Sequence, residues 1–194
     1  MSLREHTRFL REFFTQPAVV GAIAPSSRGL TRKMVEWIDW PQARHVIEYG
    51  PGTGVFTGQI LAEMQPGTKF FAIELSSSFV SLLAQSYPQA RVHQDSVANV
   101  KAICEREGMP QVDAILSGLP WAAFSSADQT AYMDAMMTVL RPGGQFVTFA
   151  YLQGLLLPAG RRFKQQLHRY FSHVERSSTA WANLPPAFVY RCRR

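Results

Sequence analysis

At 194 residues, with 46% hydrophobic and 18% charged side chains, the chain suits one globular domain able to bury about 70% of its extended surface. No apolar run approaches the roughly eighteen residues of a membrane span, and the charged start (Arg4, Glu5, Arg8, Arg11, Glu12) does not read as a secretory leader, so a cytosolic protein is expected. The net charge of +6 sits at the ends: residues 1–44 hold seven Lys/Arg against four Asp/Glu, 161–194 hold eight against one, and 45–160 hold five against nine. Basic ends on a mildly acidic body point to an anionic partner there, either nucleic acid or an anionic membrane face. The two cysteines, Cys104 and Cys192, have no metal or redox spacing and read as reduced structural thiols.

In chain order, the first sixteen residues form an amphipathic helix in projection. Leu3, Thr7, Leu10, Phe13 and Phe14 share one face with Phe9 on its flank, and Arg4, Arg8 and Arg11 line one side of the polar face. Such a helix can lie in the headgroup region of an anionic bilayer, or pack on the domain or on a second subunit. Residues 1–44 therefore read as an N-terminal helical appendage, and 45–194 as the main domain. There, strands and helices alternate: strand 45–50, helix 55–64, strand 69–75, helix 78–87, strand 91–95, helix 97–107 and strand 112–118. A helix capped by Ser126 runs to Leu140 and stops at Arg141-Pro142-Gly143-Gly144, followed by strand 145–151 and helix 160–170. Two strand-like runs, 172–182 and 187–193, flank Asn183-Leu184-Pro185-Pro186 and read as an antiparallel hairpin. The alternation predicts an α/β fold, a parallel sheet covered by helices on both faces.

In such sheets ligands bind beyond the carboxyl ends of the strands. Gly50-Pro51-Gly52-Thr53-Gly54 directly follows the strand His45-Val46-Ile47-Glu48-Tyr49, and its glycines let the backbone turn sharply against a ligand. The spacing fits a dinucleotide fingerprint poorly, because Val55 stands where its last glycine belongs. It suits a nucleoside with a short charged tail. Glu74, at the next strand end, can accept both hydroxyls of a ribose. Asp95, at the third, can accept from an adenine amino group, with the Ser96 backbone as a donor to the ring. Trp121, Phe124 and Tyr151 fall at the same edge and could hold an alkylammonium by cation–π attraction. Tyr151 and Trp121 are the catalytic candidates, with no general base assigned. Arg28, Arg161, Arg162 and Arg191 are candidates for an acceptor phosphate. The five histidines (His6, His45, His93, His168, His173) show no metal spacing, so no metal is expected.

The run Val46–Gly54, Glu74, Asp95, Ser117-Gly118-Leu119-Pro120-Trp121 and Leu140-Arg141-Pro142-Gly143-Gly144 resembles the class I S-adenosylmethionine-dependent methyltransferases. The resemblance implies a Rossmann-like, mostly parallel seven-stranded sheet with an antiparallel C-terminal strand, S-adenosylmethionine as cofactor and S-adenosylhomocysteine as product. It implies a cofactor set of Glu48, Tyr49, Gly50, Pro51, Gly52, Thr53, Gly54, Glu74, Leu75, Ser76, Asp95, Ser96, Ser117, Gly118 and Leu119. Gly21-Ala22-Ile23-Ala24-Pro25-Ser26-Ser27, Gly118-Leu119-Pro120 and Asn183-Leu184-Pro185-Pro186-Ala187 are most similar to the small bacterial phospholipid N-methyltransferases. That similarity implies methylation of an amine headgroup such as phosphatidylethanolamine at an anionic membrane surface, with Pro120, Trp121, Phe124, Tyr151 and Asn183 at the substrate. Trp121 and Ala122-Ala123-Phe124 depart from that family's forms. The alternatives are a soluble small-molecule acceptor and RNA, as in the ribosomal RNA adenine dimethylases, which share Gly-Pro-Gly-Thr-Gly. Those enzymes carry Asn where this chain has Gly118, which removes the side-chain acceptor for adenine and disfavours RNA.

Overall fold

The computed structural model describes residues 27–194. In order these form α1 (Arg28–Val35), β1 (His45–Tyr49), α2 (Val55–Glu63), β2 (Lys69–Glu74), α3 (Ser77–Ser86) and β3 (Arg91–Gln94). Next come α4 (Val100–Glu107), β4 (Val112–Ser117), α5 (Ser126–Val139), β5 (Leu140–Tyr151), α6 (Pro158–Tyr170), β6 (His173–Arg176) and β7 (Ala187–Arg193). Short 3-10 turns cover 97–99, 121–123 and 152–156.

The seven strands make one sheet in the order β3-β2-β1-β4-β5-β7-β6, all parallel except β7, which runs antiparallel to both neighbours. The central strands carry continuous apolar runs because both of their faces are covered. Ile47, Phe71, Ile73 and Ile115 pack under α4, α5 and α6, whereas Val46, Ala114, Leu116 and Val147 pack under α1 and α2. The order reverses between β1 and β4, and the crevice at that switch point is where an open sheet of this kind binds ligands.

The expected boundaries moved at three places. Ser125, not Ser126, caps α5: its Oγ accepts from the Asp128 N–H at 3.1 Å and donates to Asp128 Oδ2 at 2.6 Å. Strand five starts at Leu140 because the turn 141–144 is clamped to the chain end, with Gly143 N–H donating to the Arg194 carbonyl and Arg194 N–H to that of Gly144, both at 2.9 Å. The run 172–182 keeps only four strand residues, since Ser177 Oγ takes the Val189 N–H at 3.0 Å and one further bridge joins Ala180 to Ala187. Residues 28–43, expected within the N-terminal appendage, pack on the sheet, with Leu30, Met34, Val35, Ile38 and Trp40 buried in the second core. The predicted amphipathic helix and the segment 21–26 lie outside the described residues.

Candidate active site

The ends of β2, β1 and β4 are stitched together by main-chain bonds. Gly50 N–H donates to the Ile73 carbonyl at 2.9 Å, and Gly118 N–H to the Tyr49 carbonyl at 2.8 Å. Gly50 turns with φ of 64°, a left-handed value that favours glycine. Gly118 is glycine for another reason: a Cβ there would lie 2.5 Å from the Gly50 carbonyl oxygen. The Asn of the base-methylating enzymes therefore has no room on this backbone.

Glu74 is buried at the end of β2. Its Oε2 accepts from Gly52 N–H at 3.1 Å and its Oε1 from Ser76 N–H at 2.9 Å. Each oxygen keeps a second lone pair for a ligand hydroxyl. Burial raises its pKa, and the backbone donors of Ser76, Gly52 and Leu75 pull it back. Asp95 Oδ1 accepts from Ser96 N–H and from Asn99 Nδ2, both at 2.7 Å, while Oδ2 lies 3.8 Å from Arg106. Gly50, Ile73, Glu74, Leu75, Asp95, Ser96, Val97 and Leu119 surround one pocket with Phe124 and Tyr132 at its rim. Two carboxylates for hydroxyl and amino donors, beside apolar walls for a ring, suit an adenosyl group. The pocket is partly open to solvent, with a cavity volume of about 30 Å³.

A second cavity of about 210 Å³ opens beside the first. Five aromatic residues (Trp121, Phe149, Tyr151, Phe163 and Tyr190) line it, with Gln153 and the two tyrosine hydroxyls as its polar side-chain groups. The loop 119–124 is the shared wall: Leu119 and Phe124 face the first pocket, Pro120 to Ala123 the second. Burial pushes the Tyr151 hydroxyl up to about 12, and it does the same to Tyr190. Both stay protonated near neutrality and act as hydrogen-bonding groups, not bases.

Several predicted site residues have other occupations. Trp121 is no free platform: its ring stacks on Phe163 with centroids 5.4 Å apart, and its indole N–H donates to Ser117 Oγ at 2.9 Å. Ser117 Oγ also takes the Leu119 N–H, at 3.3 Å, so that side chain shapes the loop. Phe124 borders the cofactor pocket, not the second cavity. The Ser96 N–H expected to meet the ring is held by Asp95. Asn183 has both amide ends engaged, Oδ1 accepting from Ser27 N–H at 2.9 Å and Nδ2 donating to the Pro185 carbonyl at 2.7 Å, so it anchors the start of α1. Tyr49 sends its side chain into the core. Arg191 is paired with Glu36 and Glu175, which removes it as a phosphate ligand. Pro51, Gly52, Thr53 and Gly54 form the turn behind the pocket, with Ser76 capping α3 beside it.

Glu48, on β1, is fully buried. Thr57 Oγ1 donates to its Oε2 at 2.7 Å, and Oε1 has no partner. Burial pushes its pKa up to about 8, with Thr57 acting downward and Glu74 upward. Among the described residues no cluster of His, Cys, Asp or Glu could hold a metal ion. Phe149, Phe163 and Tyr190 were not foreseen; only their aromatic character hinted at the cavity they share.

Comparison with known proteins agrees with this geometry. A family model described as a methyltransferase domain matches residues 46–144. An ornithine lipid N-methyltransferase from Singulisphaera acidiphila is 29% identical over 98% of this chain and 97% of that protein. The O-methyltransferase TomG of Streptomyces achromogenes, solved with S-adenosylmethionine, superposes with a TM-score of 0.67 at 17% identity over 98% of this chain and 88% of its own. A Bacillus cereus O-methyltransferase solved with S-adenosylhomocysteine gives 0.68 at 14% identity over 99% and 91%. This chain belongs to the methyltransferase domain family, and it is a class I methyltransferase that uses S-adenosylmethionine.

Proposed function

We propose that the enzyme methylates the primary amine of a membrane-lipid headgroup, of the phosphatidylethanolamine or amino-acid-lipid kind. The aromatic cavity across the 119–124 loop from the cofactor pocket carries this reading. S-adenosylmethionine, when bound, supplies a methyl group on a sulfonium, already activated for displacement by a lone pair. The protein must then present an unprotonated nitrogen in line and exclude water.

A free alkylamine has a pKa of about 10.4 and is almost wholly protonated near neutrality. Among the described residues five aromatic rings and no charged side chain line the cavity, which disfavours the ammonium form. Transfer leaves the nitrogen as an ammonium, whose charge the same ring faces can hold by cation–π attraction. Tyr151 and Tyr190 hydroxyls can accept the amine's N–H and fix the direction of its lone pair. The N-methylating relative acts on an ornithine lipid, which also offers a primary amine and adds weight to a lipid acceptor. Gly118, with no room for a side chain, weighs against an RNA base.

The test is incubation with labelled cofactor and, in parallel, vesicles containing phosphatidylethanolamine or ornithine lipid, unmodified ribosomal RNA, and a metabolite extract. Label is expected in the organic phase with the amino lipids. Label only in RNA or in water-soluble products would overturn the assignment.

A further inference from the structure

We infer that the rim of the aromatic cavity is a docking face for an anionic bilayer, built from the 152–157 and 181–184 segments. Among the described residues five large apolar side chains are exposed, and four of them cluster there: Leu156 (75%), Leu157 (56%), Trp181 (70%) and Leu184 (66%). The two segments leave adjacent strand ends on the ligand-binding edge. Tyr151 pairs with Ala187, and Leu152 N–H donates to the Pro186 carbonyl at 2.8 Å. Leu155 and Leu157 belong to the lining of the cavity itself, so the exposed apolar side chains continue its wall outward.

Exposed leucines beside an indole suit the boundary between acyl chains and headgroups, where an apolar body and a polar edge are both accommodated. The charge identifies the surface. Helix α6 begins where the apolar segment ends and exposes Arg161, Arg162, Lys164 and Arg169, with no Asp or Glu anywhere from 135 to 174. Arg28 is also exposed, next to the Ser27 that Asn183 holds at the 183–186 turn. Cations flanking apolar side chains fit an anionic leaflet better than a neutral protein groove. A lipid held in such a surface would reach the cavity without leaving its neighbours. The purpose of the face rests on the lipid reading above, but its test does not.

The experiment uses the full chain with vesicles of phosphatidylglycerol and of phosphatidylcholine, comparing wild type with Trp181→Ser/Leu184→Ser and Leu156→Ser. Binding to phosphatidylglycerol, loss on raising salt, and a blue shift of Trp181 emission are expected. The double variant should weaken vesicle binding by about tenfold or more and Leu156→Ser by about fivefold, with calorimetric affinity for S-adenosylhomocysteine unchanged. Equal binding by wild type and both variants, or no binding by any, overturns the inference. So does a lipid-free Trp181 emission that is already blue and reddens when residues 1–26 are removed, since the chain's own segment would then be the occupant. Turnover of detergent-dispersed amino lipid separates the two claims. Methylation retained by the variants supports both, whereas no methylation by any protein alongside the expected vesicle pattern sinks the lipid assignment alone.

Discussion

Two carboxylates at opposite edges of the sheet look alike in sequence and differ in what surrounds them. Asp113, where β4 begins, accepts from the backbone N–H groups of Arg44 (2.8 Å) and His45 (2.9 Å) and from Arg141 Nε at 2.5 Å. Burial acts to raise its pKa, but Arg141 and the two N–H donors outweigh it and hold the group below the usual range. Glu74, where β2 ends, also accepts two backbone N–H bonds, but no ion pair within the described residues neutralises it, and its pKa is raised. The first carboxylate has spent its charge on the fold. The second keeps lone pairs free for a ligand, which marks it as a candidate site and not a clasp.

The sharpest way to break this comparison is to fill the space beside Glu74. Gly118→Asn places a Cβ 2.5 Å from a backbone oxygen, so the Gly50 loop must move and cofactor binding should vanish in calorimetry. Glu74→Ala should weaken the cofactor by about a hundredfold, the worth of two hydrogen bonds to a charged group. Asp113→Ala should do the reverse: a loss of about 1–2 kcal/mol in denaturant unfolding, discounted for its partial exposure, with cofactor affinity kept. Equal effects of these two alanines on cofactor affinity would erase the distinction.

Glu48 adds a pH axis. Its folded pKa is raised, so the folded state holds a proton that the unfolded chain releases. Stability should fall as pH climbs from about 4.5 to about 8 and then level off. Glu48→Gln should flatten that slope in thermal melts. Asp113, with a depressed folded pKa, contributes on the acid side instead: its stabilisation is present above the unfolded pKa and lost as pH falls through the folded one. The smallest effect belongs to the acceptor cavity. Tyr190→Phe should raise the amine KM by about fivefold, the worth of one neutral hydrogen bond, and leave the cofactor untouched.

Sequence could bring together the residues of the first pocket because that pocket is made locally. Each contributor sits at a strand end, and a short motif is enough to describe a turn that exposes main-chain groups. Gly50, Glu74, Asp95 and Leu119 were all legible in this way. The aromatic cavity was not, because Phe149, Phe163 and Tyr190 come from β5, α6 and β7 and meet only after the sheet has formed. Trp121 and Asn183 were placed at the right edge, yet position alone could not reveal that an indole N–H was already bound to Ser117 or an amide to Ser27. The packing of residues 28–43 was not legible for a related reason: nothing in them declares which core receives Leu30 and Met34.

A crystal structure with S-adenosylhomocysteine and a short-chain amino lipid tests the two-chamber arrangement most directly. The expected result is an adenosyl group between Glu74 and Asp95, and a lipid headgroup in the aromatic cavity of Tyr151, Phe163 and Tyr190, its nitrogen reaching past the 119–124 loop in line with the cofactor sulfur. A nitrogen bound elsewhere, with the aromatic cavity empty, would contradict the account.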